Sequence, residues 1–293
     1  MSVSFVFYLF IWKIFALLPE ASAYRLAQFV ADLATKRNSK SVKRLRLNYA
    51  RIHPEFSVTM LDTAVKDGMR SYLRYWADTF RLHTWSDEHM IDSVTVHNEH
   101  FLRDALTAGT GCIVSLPHSG NWDHAGAYFS KTGAPVVTVA EHLEPEKLFL
   151  KFLSFRESLG MEVLDSSSHA FGVLAQRLRQ GRLIALVADR DLSKNGVPVN
   201  FCGHLARMPA GPALLSIQTG APLITAFVTY NKRGITISFE EPIAIPDTGD
   251  RSEKVAIMIQ ESANRLERKL KESVVDWHML QRIWTDGDFV ERE

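Results

Sequence analysis

The hydrophobic pattern divides the chain into three stretches. From Val3 to Leu18, 14 of 16 positions are apolar, interrupted only by Ser4 and Lys13, with no polar face. Residues 58–85 then read as one long helix rich in aromatic and charged residues, and 93–97 alternate as a short strand. From residue 112 onward a βα rhythm sets in. Apolar runs at 112–116, 135–140, 183–188 and 222–229 read as buried strands. Between them, 122–131, 145–159, 170–179 and 209–218 carry helical patterns. Residues 235–239 add an alternating strand, 251–271 an amphipathic charged helix, and 277–284 an aromatic terminal segment. The predicted fold is α/β: a central, mostly parallel sheet flanked by helices, preceded by an N-terminal apolar membrane-associating helix. Two units follow, 1–55 with the apolar helix and a basic segment, and 56–293 with the βα-patterned domain.

The apolar stretch is long enough, at about 1.5 Å per residue, either to reach barely across a hydrocarbon core or to lie in its interface. Lys13 at its middle costs about 3 kcal/mol on insertion scales, which the surrounding Phe, Leu and Ile can offset. Ala21-Ser22-Ala23 resembles a leader cleavage site, but no Lys or Arg precedes the run. Seven cations instead follow it, from Lys36 to Arg51, with no acid among them. The positive-inside rule and attraction to anionic lipid headgroups place this end at the cytoplasmic face of the plasma membrane, peripheral or held by a single N-terminal anchor. A solvated helix face beside a buried first helix is the alternative.

With 293 residues, 46% of them hydrophobic, the chain can bury a large core and is not compositionally disordered. Its 34 basic and 33 acidic residues leave a net charge of +1, which argues against nucleic acid as a partner. Two cysteines and eleven scattered histidines match no zinc-ligand spacing, so no metal is expected. GxSxG, GxxxxGK[ST], GxGxxG and HExxH are all missing.

What stands out is Leu116-Pro117-His118-Ser119-Gly120-Asn121-Trp122-Asp123. It follows a buried strand, supplies turn and N-cap residues, and opens a helix, so the turn can bring His118 and Asp123 together. On one helix their five-residue spacing would set them about 140° apart. With Asp123 accepting from one ring nitrogen, the other nitrogen of His118 is free to act as a general base. Read without further context, the same residues are an ordinary capping network at a βα junction.

HxxxxD after a buried strand, downstream of an apolar N-terminus, resembles the lysophospholipid acyltransferase superfamily. The closer resemblance is to the branch of lipid A late acyltransferases and actinobacterial phosphatidylinositol mannoside acyltransferases. Ala188-Asp189-Arg190-Asp191-Leu192, Gly196-Val197, Phe201, Gly203, the run from Arg207 to Leu214, and Trp277-His278-Met279-Leu280-Gln281 are similar to the mannoside enzymes in particular. The resemblance covers roughly residues 60–285.

It implies transfer of a fatty acyl group, palmitoyl in the first instance, from acyl-CoA to the 6-hydroxyl of a mannose on phosphatidylinositol mannoside. A lipid A precursor or another glycolipid or lysophospholipid acceptor is the alternative. Acyl-CoA is then a co-substrate and no cofactor is needed. An alcohol needs a base to attack a thioester at neutral pH, and His118 fits that role. In the family the histidine also pairs with an acid of the second block, for which Asp189 and Asp191 are both candidates. Each could equally be a structural partner of Arg190 or Arg207. Glu141, Arg156, Arg190 and Arg207 are the candidate substrate-binding residues, Arg207 because it precedes a helix start that can hold a phosphate. Trp122, Phe129, Phe149, Phe152 and Phe155 are candidates for an acyl channel or simply for core.

Overall fold

The computed structural model describes residues 3–142, 144–166, 169–191 and 196–285. Leu192, the last residue of the second motif block, lies outside them. Four helices open the chain: α1 (Val3–Leu17), α2 (Glu20–Arg37), α3 (Lys40–Ile52) and α4 (Val58–Arg81). Ala23, Ala27 and Ala31 form a buried small-residue stripe that lets α2 lie close against α4. Arg81, near the end of α4, donates to the carbonyls of Phe15 and Leu18, closing the exposed end of α1 and fixing the turn into α2.

After α5 (Asp87–Asp92) the sheet begins with β1 (Val94–His97), followed by α6 (His100–Thr107), β2 (Cys112–Leu116), α7 (Trp122–Lys131), β3 (Val136–Ala140), α8 (Glu146–Ser158), β4 (Glu162–Asp165), α9 (Ala170–Arg179) and β5 (Leu183–Val187). A separate antiparallel hairpin, β6 (Val197–Phe201) and β7 (His204–Met208), precedes α10 (Gly211–Thr219), β8 (Leu223–Tyr230), β9 (Ile235–Phe239) and α11 (Arg251–Glu272). The seven strands run in the order β1-β9-β8-β2-β5-β3-β4, and every pairing is parallel except β8 with β9.

The α/β expectation therefore holds, with most predicted strands and helices within two residues of their observed bounds. Not anticipated were β4, the β6–β7 hairpin, and α2, α3, α5 and α6. β4 is a four-residue edge strand with Glu162 and Asp165 at its ends, too short and too polar to stand out.

Alternation along the central strands sends side chains to two cores. Ile113 and Ile184 join α9, α10, α11, α3 and the terminal aromatics Trp277 and Trp284 on one face. Cys112, Val114 and Leu116 join α1, α7, α8 and part of α4 on the other. Residues before 56 contribute to both cores, with Trp12, Phe15 and Ala27 on one side and Leu45, Tyr49 and Ile52 on the other. Among the described residues no helix is long and apolar enough to cross a membrane; α1 has 15 residues.

Candidate active site

The site forms at the carboxyl ends of β2 and β5, adjacent strands in the middle of the sheet, where open α/β sheets place their ligand crevices. β2 delivers His118 just beyond Leu116 and Pro117, and β5 delivers Asp189 just beyond Ala188. The turn between β2 and α7 depends on Gly120. Its φ is +54°, and a Cβ there would stand 2.7 Å from the Val228 carbonyl oxygen, so any side chain would force the turn off β8. Asn121 caps α7 by accepting from the His124 amide, as its position predicts.

Asp189 Oδ1 lies 2.6 Å from His118 Nδ1, and Oδ2 accepts from the His118 amide at 3.0 Å. The indole N–H of Trp277 donates to the same Oδ2 at 2.9 Å. Burial alone would push the Asp189 carboxyl up, but the charge of the His118 ring and the donors from His118 and Trp277 hold it below the usual carboxylate range. A carboxylate at Nδ1 assigns the ring proton to that nitrogen and leaves the Nε2 lone pair available. The His118 side chain is 29% exposed, and it lines a cleft of about 320 Å³.

This geometry corrects the pairing expected from the HxxxxD spacing. Asp123 does not accept from His118. It takes Arg156 Nε at 2.7 Å and the Tyr75 hydroxyl at 2.9 Å, and its side chain is 2% exposed. The five intervening residues make a turn plus the first residues of α7, which aims Asp123 into the helix packing interface rather than back at the ring. Tyr75 also stacks on Trp122 at 4.0 Å between centroids, and Trp122 meets the His118 ring edge-on at 5.5 Å. Asp123 is thus linked to the His118 ring through Tyr75 and Trp122 rather than by direct contact.

The choice the sequence leaves between Asp189 and Asp191 is decided at the level of contact. Asp191 Oδ2 accepts from the Gly196 amide at 2.9 Å and its own amide donates to the Arg207 carbonyl, so it is tied to the β6–β7 hairpin rather than to His118. Arg207 Nη1 donates to the Gly196 carbonyl at 3.2 Å from β7 and is not among the residues lining the His118 cleft. Glu141, Arg156 and Arg190 do line it, and Arg190 pairs with Glu141 at 3.3 Å. Of the expected substrate-binding set, three stand in the cleft and Arg207 stands apart from it.

Beside the cleft lies a second, apolar chamber between α7 and the sheet. It is lined by Val114, Phe129, Met161, Leu183 and Ile237 and shares Trp122, Val139, Arg156 and Val187 with the cleft wall. Phe149 and Phe152 line the cleft itself, whereas Phe155 packs on Trp12 of α1. The aromatic set singled out in the sequence therefore divides between lining and core.

Residues the sequence reading did not assign complete the site. Trp277 and His278 belong to a segment quoted only for its resemblance, and Tyr75 and Trp76 to a long helix read only as rich in aromatic and charged residues. Gly120 N donates to the Asp276 carbonyl and His278 N to the His118 carbonyl, at 2.9 and 2.8 Å. Ser71 Oγ donates to Asp276 Oδ1 at 2.6 Å and lies 2.9 Å from His278 Nε2. Burial and the neighbouring His118 charge push the His278 ring down to about 3, so it is neutral. No group of His, Cys, Asp and Glu suited to hold a metal ion occurs among the described residues.

Residues 2–286 match the profile of the bacterial lipid A biosynthesis acyltransferases. The chain is 37% identical over 276 residues to the phosphatidylinositol mannoside acyltransferase of Mycolicibacterium smegmatis, covering 93% of this chain and 88% of that one. It is 40% identical over 248 residues to the enzyme of the same name from Mycobacterium tuberculosis strain H37Rv, covering 83% and 77%. Among solved structures, the 1-acyl-sn-glycerophosphate acyltransferase PlsC of Thermotoga maritima aligns at 14% identity with a TM-score of 0.39, over 80% of this chain and 99% of that one.

Proposed function

The chain belongs to the bacterial lipid A biosynthesis acyltransferase family, and on that premise we propose that it transfers a fatty acyl group from acyl-CoA to a mannose 6-hydroxyl of phosphatidylinositol mannoside. The acceptor is carried over from relatives 37–40% identical and named for it. The observation that carries the chemistry is the 2.6 Å contact between a buried aspartate and Nδ1 of a cleft histidine.

In this reading Nε2 of His118 takes the hydroxyl proton as the oxygen attacks the thioester carbonyl. The imidazolium so formed is stabilised by Asp189 and returns the proton to the departing thiolate. No covalent enzyme intermediate is required. Backbone amides at the start of α7 are the donors assigned to the oxyanion in this reading. Glu141, Arg156 and Arg190 line the cleft for the polar parts of the substrates, and the apolar chamber beyond Trp122 receives the acyl chain.

The same reading puts the protein on the membrane surface. Phe7, Phe10 and Leu17 of α1 and Phe29 of α2 are each 60–75% exposed, and the cationic residues of α2 and α3 follow in the chain. An apolar face beside basic residues suits an anionic interface, with the helices lying on it rather than crossing.

Purified protein incubated with radiolabelled palmitoyl-CoA and a panel of acceptors tests the proposal. Label should pass to phosphatidylinositol mannoside far faster than to lipid A precursor, lysophosphatidate or water. Preferred labelling of any other acceptor would replace the acceptor assignment while leaving the mechanism standing.

A further inference from the structure

The segment 274–285 follows α11 and contains no regular element, yet it holds the two largest fully buried side chains among the described residues. Trp277 and Trp284 are 0% and 1% exposed. Trp277 is tied to the catalytic turn on both sides. It bridges to Ser119, its preceding residue accepts from Gly120, and its following residue donates to His118. On the other side α3 grips the segment. Tyr49 Oη donates to the Trp277 carbonyl at 3.0 Å, and Asn48 Nδ2 to the carbonyls of Met279 and Gln281. The indole is therefore held between α3 and the His118 turn, on a frame independent of β5.

Its one polar atom points at Asp189. Oδ2 of that carboxylate receives two donors, the Trp277 indole and the His118 amide, while Oδ1 is left for the His118 ring. We propose that Trp277 is a positioning residue of the catalytic pair, locking the Asp189 carboxylate in rotation and drawing off part of its charge. This rests on the acyl-transfer reading above for its consequence but not for its geometry. With Oδ2 pinned, Oδ1 meets Nδ1 in one orientation and Nε2 faces substrate in one tautomer. With charge drawn toward the indole, the carboxylate stabilises an imidazolium less than a free carboxylate would.

The electrostatic surroundings allow the effect to be read cleanly. On the cleft side the charged lining groups are Glu141, Arg156 and Arg190. Behind Asp189, Glu240, Arg265 and Lys269 line a small pocket that also reaches the carboxylate. His278 faces His118 from the terminal segment and is neutral. Replacing an indole by a phenyl ring changes none of these charges.

The test is Trp277→Phe, together with a protein carrying the benzothienyl isostere of tryptophan at the same position, which keeps the volume and lacks the N–H. The isostere covers the case in which the smaller phenyl ring fails to fold. Two quantities are read: the titration of the His118 ring by NMR, and the pH profile of kcat/KM for acyl transfer. Removing the donor concentrates charge on Asp189 and favours the protonated ring. Both the NMR midpoint and the acidic limb should move to higher pH, by about half a unit or more. KM for acyl-CoA should stay within twofold, and kcat at neutral pH should fall severalfold. An unmoved midpoint in a folded isostere protein overturns the inference, whatever happens to the melting temperature. A shifted midpoint in a protein that transfers no acyl group would uphold the positioning role and overturn the acyl-transfer reading instead.

Discussion

Asp189 stands 71 positions after His118 and grips it twice, one carboxylate oxygen on the ring at 2.6 Å and the other on the backbone amide at 3.0 Å. The double contact fixes the carboxylate against the main chain as well as the ring, so the pair cannot drift apart by side-chain rotation alone. General acid–base catalysis by a positioned histidine contributes on the order of 10²–10⁴ in rate. His118→Ala should lose at least about a hundredfold in kcat with the fold intact. Asp189→Asn, which leaves the ring without a carboxylate to stabilise its charge, should lose a comparable factor. Steady-state kinetics of the two variants and their double variant check this. The double variant should be little worse than His118→Ala, because both residues act in one step.

Asp123 makes a different prediction. Its carboxylate is buried against Arg156 and Tyr75, so removing Arg156 strands a charge. Arg156→Met should destabilise the protein by about 3 kcal/mol or more, the usual cost of breaking a buried pair from one side. Asp123→Asn should lose stability and loosen the Tyr75–Trp122 wall, with a smaller loss of kcat than Asp189→Asn. Chemical denaturation alongside kinetics separates the two aspartates; equal kcat losses at unchanged stability would contradict the assignment.

Gly126 and Met161 both line the apolar chamber, and a Cβ on Gly126 would sit 2.5 Å from Met161 Sδ. Gly126→Ala must turn the thioether away and so reshapes the chamber. If the acyl chain lies there, preference should move toward chains shorter by about two carbons, at about 0.8 kcal/mol for each methylene that no longer fits. Competition between acyl-CoA species of graded length measures it. An unchanged length profile would place the chain elsewhere.

Charge substitutions at Phe7, Phe10 and Phe29, which are exposed and whose rings support no core, should release the protein from lipid vesicles without unfolding it. Neutralising basic residues between Lys36 and Arg51 should instead reduce the salt and anionic-lipid dependence of binding. Trp12 is the contrasting control: it is buried against Phe80, Phe152 and Phe155, so its loss should lower stability. Vesicle sedimentation with thermal melts distinguishes the two faces of α1.

Acid stability carries a sign that the buried histidines determine. Burial lowers His124 to about 4 and His278 to about 3. Both bind protons in the unfolded chain before they do so in the folded one, so stability falls as pH drops from about 6.5 toward those values. Asp78 acts oppositely. Burial raises it to about 6, so the folded state takes up a proton first and gains stability on acidification between about 6 and 4. Melting temperatures across pH 7 to 4 should decline, and the decline should be steeper in Asp78→Asn. A flat profile would mean that the two histidines titrate normally.

Local chemistry was enough to place half of this site. A buried apolar run, a proline, a turn-forming Gly120 and a capping Asn121 are short-range signals, so the sequence by itself determined that His118 stands at the mouth of a strand-to-helix turn. The alternation of apolar strands and amphipathic helices likewise determined the parallel α/β architecture, because a sheet covered on both faces must be written in continuous apolar runs. Which acid meets the histidine was decided only by tertiary structure. The pairing of β2 with β5 brings residue 189 beside residue 118, whereas the rise of α7 carries the nearby Asp123 away to Arg156. Trp277 was beyond local reach for the same reason. Its segment has no periodicity of its own, and its place is set by hydrogen bonds to α3, to the His118 turn and to a carboxylate 88 residues earlier. Contacts across such separations depend on strand order, which periodicity along the chain does not encode.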